Sequence, residues 1–384
     1  MSLQKLNVHF TKQELLTGTG IGVISAFMYS LAPLLIIFLD TRALNSFILA
    51  TVQEFVSWIL VVCLTNKPLK FLKQIWKNTK SMLGMIVIIA GIFGGPIAQV
   101  LYILSIQLAA QMSATATVLV NIAPIFTALL SRLLLEERLS FIAWAGLLLT
   151  SLAVIGLVIW QIITEFNKTI LSPDPSDIQP WVKATWAIIL SLLTAILYAI
   201  ESTILHFAMS KSKNKINEKD ALILKAFSSS WIMLIFVLPI VSVIGGGYGY
   251  EGWVQFRIFG ELKGLTFLFI IISSFAIAIG RILFFRSIKI LNGSYGIAAQ
   301  LAMLLWTPLL SLAIFGLYKV TNCDFGIIQS NILDMQIKDL YLGATQWEYY
   351  LFLVPVLIGL ILLLFNEKFL KKDKDVWTPP MELK

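Results

Sequence analysis

ATWAIILSLLTAILYAIESTILHFA, residues 184–208, decides the fold. Glu201 is its one acidic or basic group apart from His206. Wound as an α-helix at 1.5 Å per residue, the stretch reaches about 37 Å, more than the hydrocarbon core of about 30 Å. Outward from it, runs of the same kind recur at 15–39, 46–64, 84–107, 112–134 and 141–163, then at 221–244, 264–288, 294–316 and 347–366. The chain is read as an all-α integral membrane protein of ten transmembrane helices. Spans are numbered 1 to 10 in this order.

Composition excludes the alternatives. Of 384 residues 58% are hydrophobic and 13% charged, and the mean hydropathy is +0.86. A soluble chain of this length would need about 25% charged residues to cover its cores. A transmembrane barrel would show short alternating strands instead of long apolar runs. The net charge of +8 does not indicate nucleic acid, because the basic residues are scattered through short loops. Cys63 and Cys323 are read as two unpaired thiols, not as a disulfide framework.

Lys and Arg set the orientation. With the N-terminus inside, the tail, the 67–80 loop, the 211–225 stretch and the C-terminal residues put about three basic residues inside for each one outside. Both termini are therefore expected in the cytoplasm, with the protein in the plasma or inner membrane. The run 15–39 is too long for a signal-peptide core and is read as an uncleaved span.

The Pro-rich stretch 164–183 divides five spans from five. An odd number per half means that the second half is inserted upside down. The expected units are a first repeat over 1–163, an external linker 164–183, a second repeat over 184–367 with an external insert 317–346, and a tail 368–384. Short matches support a duplication. Ala26-Phe-Met-Tyr29 parallels Ala195-Ile-Leu-Tyr198, and Gln99-Val-Leu-Tyr102 parallels Arg281-Ile-Leu-Phe284. Pro124 in span 4 and Pro308 in span 9 lie at similar depths.

The stretch Ser113-Ala-Thr-Ala-Thr117, Pro124, Leu135-Glu-Glu-Arg-Leu139 and Gly146 resembles the EamA-type branch of the drug/metabolite transporter (DMT) superfamily. The resemblance implies two inverted five-helix repeats, a central cavity and secondary transport of small solutes, often efflux. The chain departs from the pattern at the insert 317–346, and in span 2, where Gln53-Glu54 stands in a region in which relatives often have a basic residue.

Charges inside spans are costly and usually face a cavity or one another. Glu54, Glu201 and Arg281 are such groups. Helix rise puts Glu201 and Arg281 both roughly 7 Å to the cytoplasmic side of centre, which permits an ion pair between them. Glu54, without an evident basic neighbour, is expected to take up and release a proton. Glu54 and Glu201 are thus the coupling candidates. The substrate-binding candidates are Gln99, Tyr102, Asn121, Arg281, Gln300 and Trp306. Gly94-Gly95-Pro96, Pro124 and Pro308 interrupt helices and are the hinge candidates.

Gly18-Thr-Gly20-Ile-Gly22 lies inside a span without a preceding strand, so it is read as close helix packing and not as a nucleotide loop. His9 and His206 are too far apart for metal spacing, and no cofactor is expected. The partners expected are a small-molecule solute and membrane lipid, and a homodimer is compatible with the sequence. The chain is read as a secondary transporter, not an enzyme, moving a small organic metabolite or drug by alternating access. The alternatives are an integral membrane enzyme acting on a lipid-linked substrate and a channel or receptor.

Overall fold

The computed structural model describes residues 12–37, 46–65, 75–109, 119–120, 122–135, 141–171, 180–211, 216–239, 264–321 and 347–364. Among these residues there is no strand. The helices are α1 (Lys12–Ile37), α2 (Ser46–Thr65), α3 (Met82–Ile92, the π-helical Phe93–Ile97, then Ala98–Ala109), α4 (Ala123–Leu135) and α5 (Phe141–Leu171). They continue as α6 (Pro180–His206), α7 (Glu218–Ile232), α8 (Gly264–Ala298), α9 (Met303–Thr321) and α10 (Trp347–Leu364). Further π turns follow α6 at Phe207–Lys211 and α7 at Met233–Val237, and a 3-10 turn, Ala299–Ala302, joins α8 to α9.

Among the described residues six helices are long and apolar enough to cross a membrane, and shorter apolar helices lie at Ile48–Leu64, Ala123–Leu135, Ala299–Ile314 and Tyr350–Gly359. Burial runs opposite to that of a soluble protein. On α5, Leu148, Leu152, Ile155, Ile159 and Ile163 form one exposed stripe at helical spacing, while Gln53, Glu54, Glu201, Lys225 and Arg281 are buried. In water that stripe would be an interaction patch; on a chain of this hydropathy it is the surface that lipid covers. This is a multi-pass membrane protein.

Small residues decide which helices meet. Gly18 lies against Ile290 and Leu291 of α8 and Gly22 against Ser287, and Ala299 closes on Gly22. Ser287 donates to the Gly18 carbonyl at 3.0 Å, Ser25 to the Gly280 carbonyl at 2.8 Å, and Ser273 to the Ala32 carbonyl at 3.0 Å. Residue numbers rise on α1 as they fall on α8, so the two helices are antiparallel along their length. Each such bond contributes only about 0.6 kcal/mol in lipid, so close backbone packing does most of the work.

A corresponding arrangement joins α3 to α6 and α7. Gly94 lies against Glu201 of α6, and Gly91 and Gly95 lie against Ser228 and Ser229 of α7. At the periphery α5 packs on α10, with Phe352 filling the space above Gly156 and Thr150 lying on Gly359.

Three expectations are corrected. Residues 289–293 were expected to form a loop between spans 8 and 9, but α8 is helical throughout. It is not straight, however: a β-carbon on Gly296 would lie 2.8 Å from the Ile288 Cα. Residues eight apart in a straight helix are separated by about 12 Å, so the chain doubles back here within a helical hydrogen-bonding pattern. Pro124 is not in mid-helix; it is the second residue of α4, in the first turn, where a missing N–H costs nothing. The helices also reach into the expected linker 164–183, since α5 runs to Leu171 and α6 begins at Pro180. Asn121, the Glu136-Glu137-Arg138 motif, the insert beyond residue 321 and the C-terminal tail lie outside the described residues.

Candidate functional site

The helices that meet through small residues carry the buried charges on their contact faces. Glu54 and Ser57 sit one turn apart on α2 and share the Arg281 guanidinium of α8. Arg281 Nη1 donates to Glu54 Oε2 at 2.9 Å and to Ser57 Oγ at 3.1 Å, and Nη2 donates to Glu54 Oε1. Both carboxylate oxygens are thus held by one planar fork, the strongest form of this interaction. Ser229 of α7 adds a third donor, to Glu54 Oε2 at 2.6 Å. Glu54 is fully buried and Arg281 nearly so. Desolvating two charges is repaid only with this kind of complete pairing.

A second buried pair lies beside the first. Lys225 of α7 contacts Glu201 of α6, Nζ to Oε1, at 2.8 Å, and both side chains are buried. The pairs sense each other: Lys225 is within electrostatic range of Glu54, and Glu201 of Arg281. Tyr29 of α1 and Tyr198 of α6, aligned between the two halves by sequence, both lie within range of Glu54, Glu201 and Arg281.

These pairings correct two expectations. Arg281 pairs with Glu54 and not with Glu201, and Glu54 has a basic neighbour after all. Depth along the membrane normal was the right coordinate but an incomplete one, because it leaves the direction around the helix axis open. Glu201 instead meets Lys225, which the loop count had assigned to the cytoplasmic stretch 211–225. α7 begins at Glu218, so Lys225 falls two turns inside it. The helix start was the missing signal.

An oriented row of hydrogen bonds crosses the same region. Tyr198 donates its hydroxyl to Gln99 Oε1 at 2.8 Å; Gln99 Nε2 donates to Gln53 Oε1 at 3.2 Å; Gln53 Nε2 donates to Ser273 Oγ at 2.7 Å. Ser273 then donates to the Ala32 carbonyl. The row links α6, α3, α2, α8 and α1.

Of the remaining candidates, Tyr102 lies one turn beyond Gln99 on α3. Gln300 sits in the 3-10 turn, with Nε2 3.3 Å from the Gly22 carbonyl and a buried Oε1 that has no partner among the described residues. Trp306 packs edge-on to Phe27 of α1, ring centroids 5.2 Å apart. Pro308 is within α9, preceded by Thr307, whose hydroxyl donates to the Met303 carbonyl at 2.9 Å. Gln300 and Trp306 thus contact α1, and they have no direct bond to the charged pairs among the contacts described.

Gly94, Gly95 and Pro96 are buried in the π turn of α3. Proline removes one helical donor there and the wide turn absorbs the loss. Gly94 seats the Glu201 carboxylate, while Gly95 seats Ser229, the donor to Glu54. Adjacent glycines therefore touch both ion-paired systems. Beside them Phe55, Trp58, Phe227 and Trp231 interlock, with the Trp58 and Trp231 centroids 5.7 Å apart. Among the described residues no group of three or more His, Cys, Asp and Glu side chains could hold a metal ion.

Comparison with known proteins bears on this arrangement. Residues 16–159 match the EamA-like transporter family. No curated protein matches the chain. A solved structure titled "Crystal structure of protein" is similar over 92% of this chain and 99% of its own, at 16% identity and a TM-score of 0.50. A likeness at that identity speaks to the fold alone.

Proposed function

We propose, from the match of residues 16–159 to the EamA-like transporter family, that the chain is a transporter of the drug/metabolite transporter superfamily and moves a small organic solute by secondary transport. It works by alternating access, in the direction of export, across the cell membrane. Ten spans form two inverted five-helix repeats, 1–163 and 184–367, with both termini in the cytoplasm. The cross-packing supports this reading: α1 clasps α8 of the other half, and α6 clasps α3.

The observation that carries the proposal is the buried charge cluster where these helix groups meet. Glu54 and Arg281 belong to the α2–α8 side, Glu201 and Lys225 to the α6–α7 side. Beside the aromatic packing of Phe55 and Trp58 of α2 on Phe227 and Trp231 of α7, the contacts that cross between the sides at the charges are polar: Ser229 to Glu54, and Gln99 to Gln53. Such contacts can be exchanged for a solute's groups without leaving a buried donor unmet. Arg281 and Gln99 receive an acidic part of the solute, and the Arg fork matches a carboxylate. The π turn at Gly94-Gly95-Pro96 and Pro308 supply bending.

Glu54 and Glu201 couple the cycle to protons. With three donors on it in this arrangement, the Glu54 carboxylate takes its proton in another step of the cycle, after the guanidinium has left it. Flux into liposomes carrying the purified chain, over a panel of amino acids, nucleotides and drugs, tests the reading. Accumulation above empty liposomes is expected for one class, and no flux for any class sinks it.

A further inference from the structure

Away from the charge cluster, residues 75–81 make a basic and aromatic corner at the start of α3. Residues 75–79 are helical. Ser81 ends the turn: its N–H and its hydroxyl both donate to the Asn78 carbonyl, at 3.0 and 2.8 Å, and its Oγ accepts from the Gly84 N–H at 3.0 Å. The Asn78 carbonyl lies so close to Gly84 that a β-carbon there would overlap it. The corner is thereby held on the first turn of α3.

What the corner exposes is amphiphilic. Trp76 is 67% exposed, and the Lys80 ammonium stands 4.9 Å from its ring centroid. Lys77 and Lys80 are exposed, and neither has an ion-pair partner among the described residues. Their stretch of the chain supplies none, since no acidic residue occurs between Glu54 and Glu136. Further along α3, Met82, Met85 and Ile89 are exposed at helical spacing, while Leu83 and Val87 are buried. At 1.5 Å per residue this apolar stripe is about 10 Å long, within the roughly 15 Å that the acyl chains of one leaflet fill.

We propose that this corner binds an anionic phospholipid of the adjoining leaflet. The headgroup lies on Lys77 and Lys80, the Trp76 indole sits at headgroup level, and an acyl chain runs along Met82, Met85 and Ile89. A soluble acid would use the lysines but not the stripe; a phospholipid without net charge would use the stripe but not the lysines. Tryptophan favours this depth because its ring is apolar and its N–H is polar. Each lysine near an anionic surface strengthens binding about five-fold. Ile75, beside Trp76, is buried in one apolar cluster with Val61 of α2, Val87 of α3, Leu205 of α6 and Leu222 of α7. A lipid held at the corner therefore stabilises the packing of these four helices. The inference goes beyond the transport reading and does not depend on it.

The test titrates the full-length chain in detergent with phosphatidylglycerol and with phosphatidylcholine, counting bound lipid by native mass spectrometry and following the Tm. Phosphatidylglycerol should bind about ten-fold more tightly and raise the Tm, and added salt should narrow the difference. Equal binding of the two lipids overturns the proposal. Glycerophosphoglycerol carries the same headgroup without the chains and should have no effect at the same concentration. If it matches the whole lipid, the corner is a site for small anions and the lipid assignment is overturned.

Lys77→Gln combined with Lys80→Gln ties the effect to this place, and should cut the preference for phosphatidylglycerol to about two-fold or less. A preference that survives in this variant overturns the proposal. Lys219→Gln combined with Lys289→Gln removes the same charge from exposed positions on α7 and α8, and should keep the preference. If both double variants lose it equally, net charge and not the corner selects the lipid, and the proposal falls. Should the first double variant fail to fold, Lys77→Gln alone is held to a loss of about five-fold.

Discussion

The carboxylate of Glu201 rests directly on the backbone of Gly94, with no room between them for even a β-carbon. The acidic half of one ion pair is thereby fitted to the widest turn of α3. Any movement of Glu201 away from Lys225 is a movement along or off that turn.

Gly94→Ala should therefore damage the protein where Gly20→Ala should not. Alanine at 94 would overlap a side chain that Lys225 already holds, and overpacking of this kind costs about 1–3 kcal/mol. Nothing lies within 4 Å of a β-carbon at Gly20. Thermal unfolding in detergent should show a lower Tm for the first variant only. Equal midpoints would mean that α3 and α6 are not in close contact.

Removing one member of the Glu54–Arg281 pair should cost more than removing both. Arg281→Ala leaves a buried carboxylate with only Ser229, a loss of about 3–5 kcal/mol, whereas Arg281→Met combined with Glu54→Leu leaves no orphaned charge. The comparison is made by unfolding midpoint, with transport absent in both. A double variant less stable than Arg281→Ala would contradict the pairing.

Glu54→Gln keeps shape and hydrogen-bonding capacity while removing titration. It should abolish accumulation driven by a pH gradient and leave solute exchange at equal pH within a few-fold of the parent. Undiminished gradient-driven uptake would take Glu54 out of the coupling step.

Accessibility tags at Lys70, Lys213 and Lys372 should report from the cytoplasm, and tags at Asp174 and Cys323 from outside. Lys70 and Lys213 reporting from opposite sides would break the inverted-repeat arrangement.

The positions of the helices could be read from the sequence because lipid demands long apolar runs, and a run such as 184–208 has no other stable use. Three of the four residues in the buried ion pairs could be read for a related reason: Glu54, Glu201 and Arg281 stand out wherever charge is expensive. Their partners could not. Pairing depends on rotation about each helix axis, which a row of letters does not carry, and it turned on Lys225, whose place was hidden by an uncertain helix start. The same uncertainty put Pro124 in mid-helix. The fold-back between Ile288 and Gly296, by contrast, shows in the sequence, where Asn292-Gly293-Ser294 is turn composition between two apolar runs.

The row from Tyr198 through Gln99 and Gln53 to Ser273 ends on a peptide carbonyl, and two of its links are carboxamides. A hydroxyl can accept a proton and pass on another; an amide nitrogen at neutral pH does neither. The row therefore conducts orientation but not protons. In the proton-coupled cycle proposed above it would serve as an insulator beside Glu54 and Glu201, so that the driving gradient is not short-circuited.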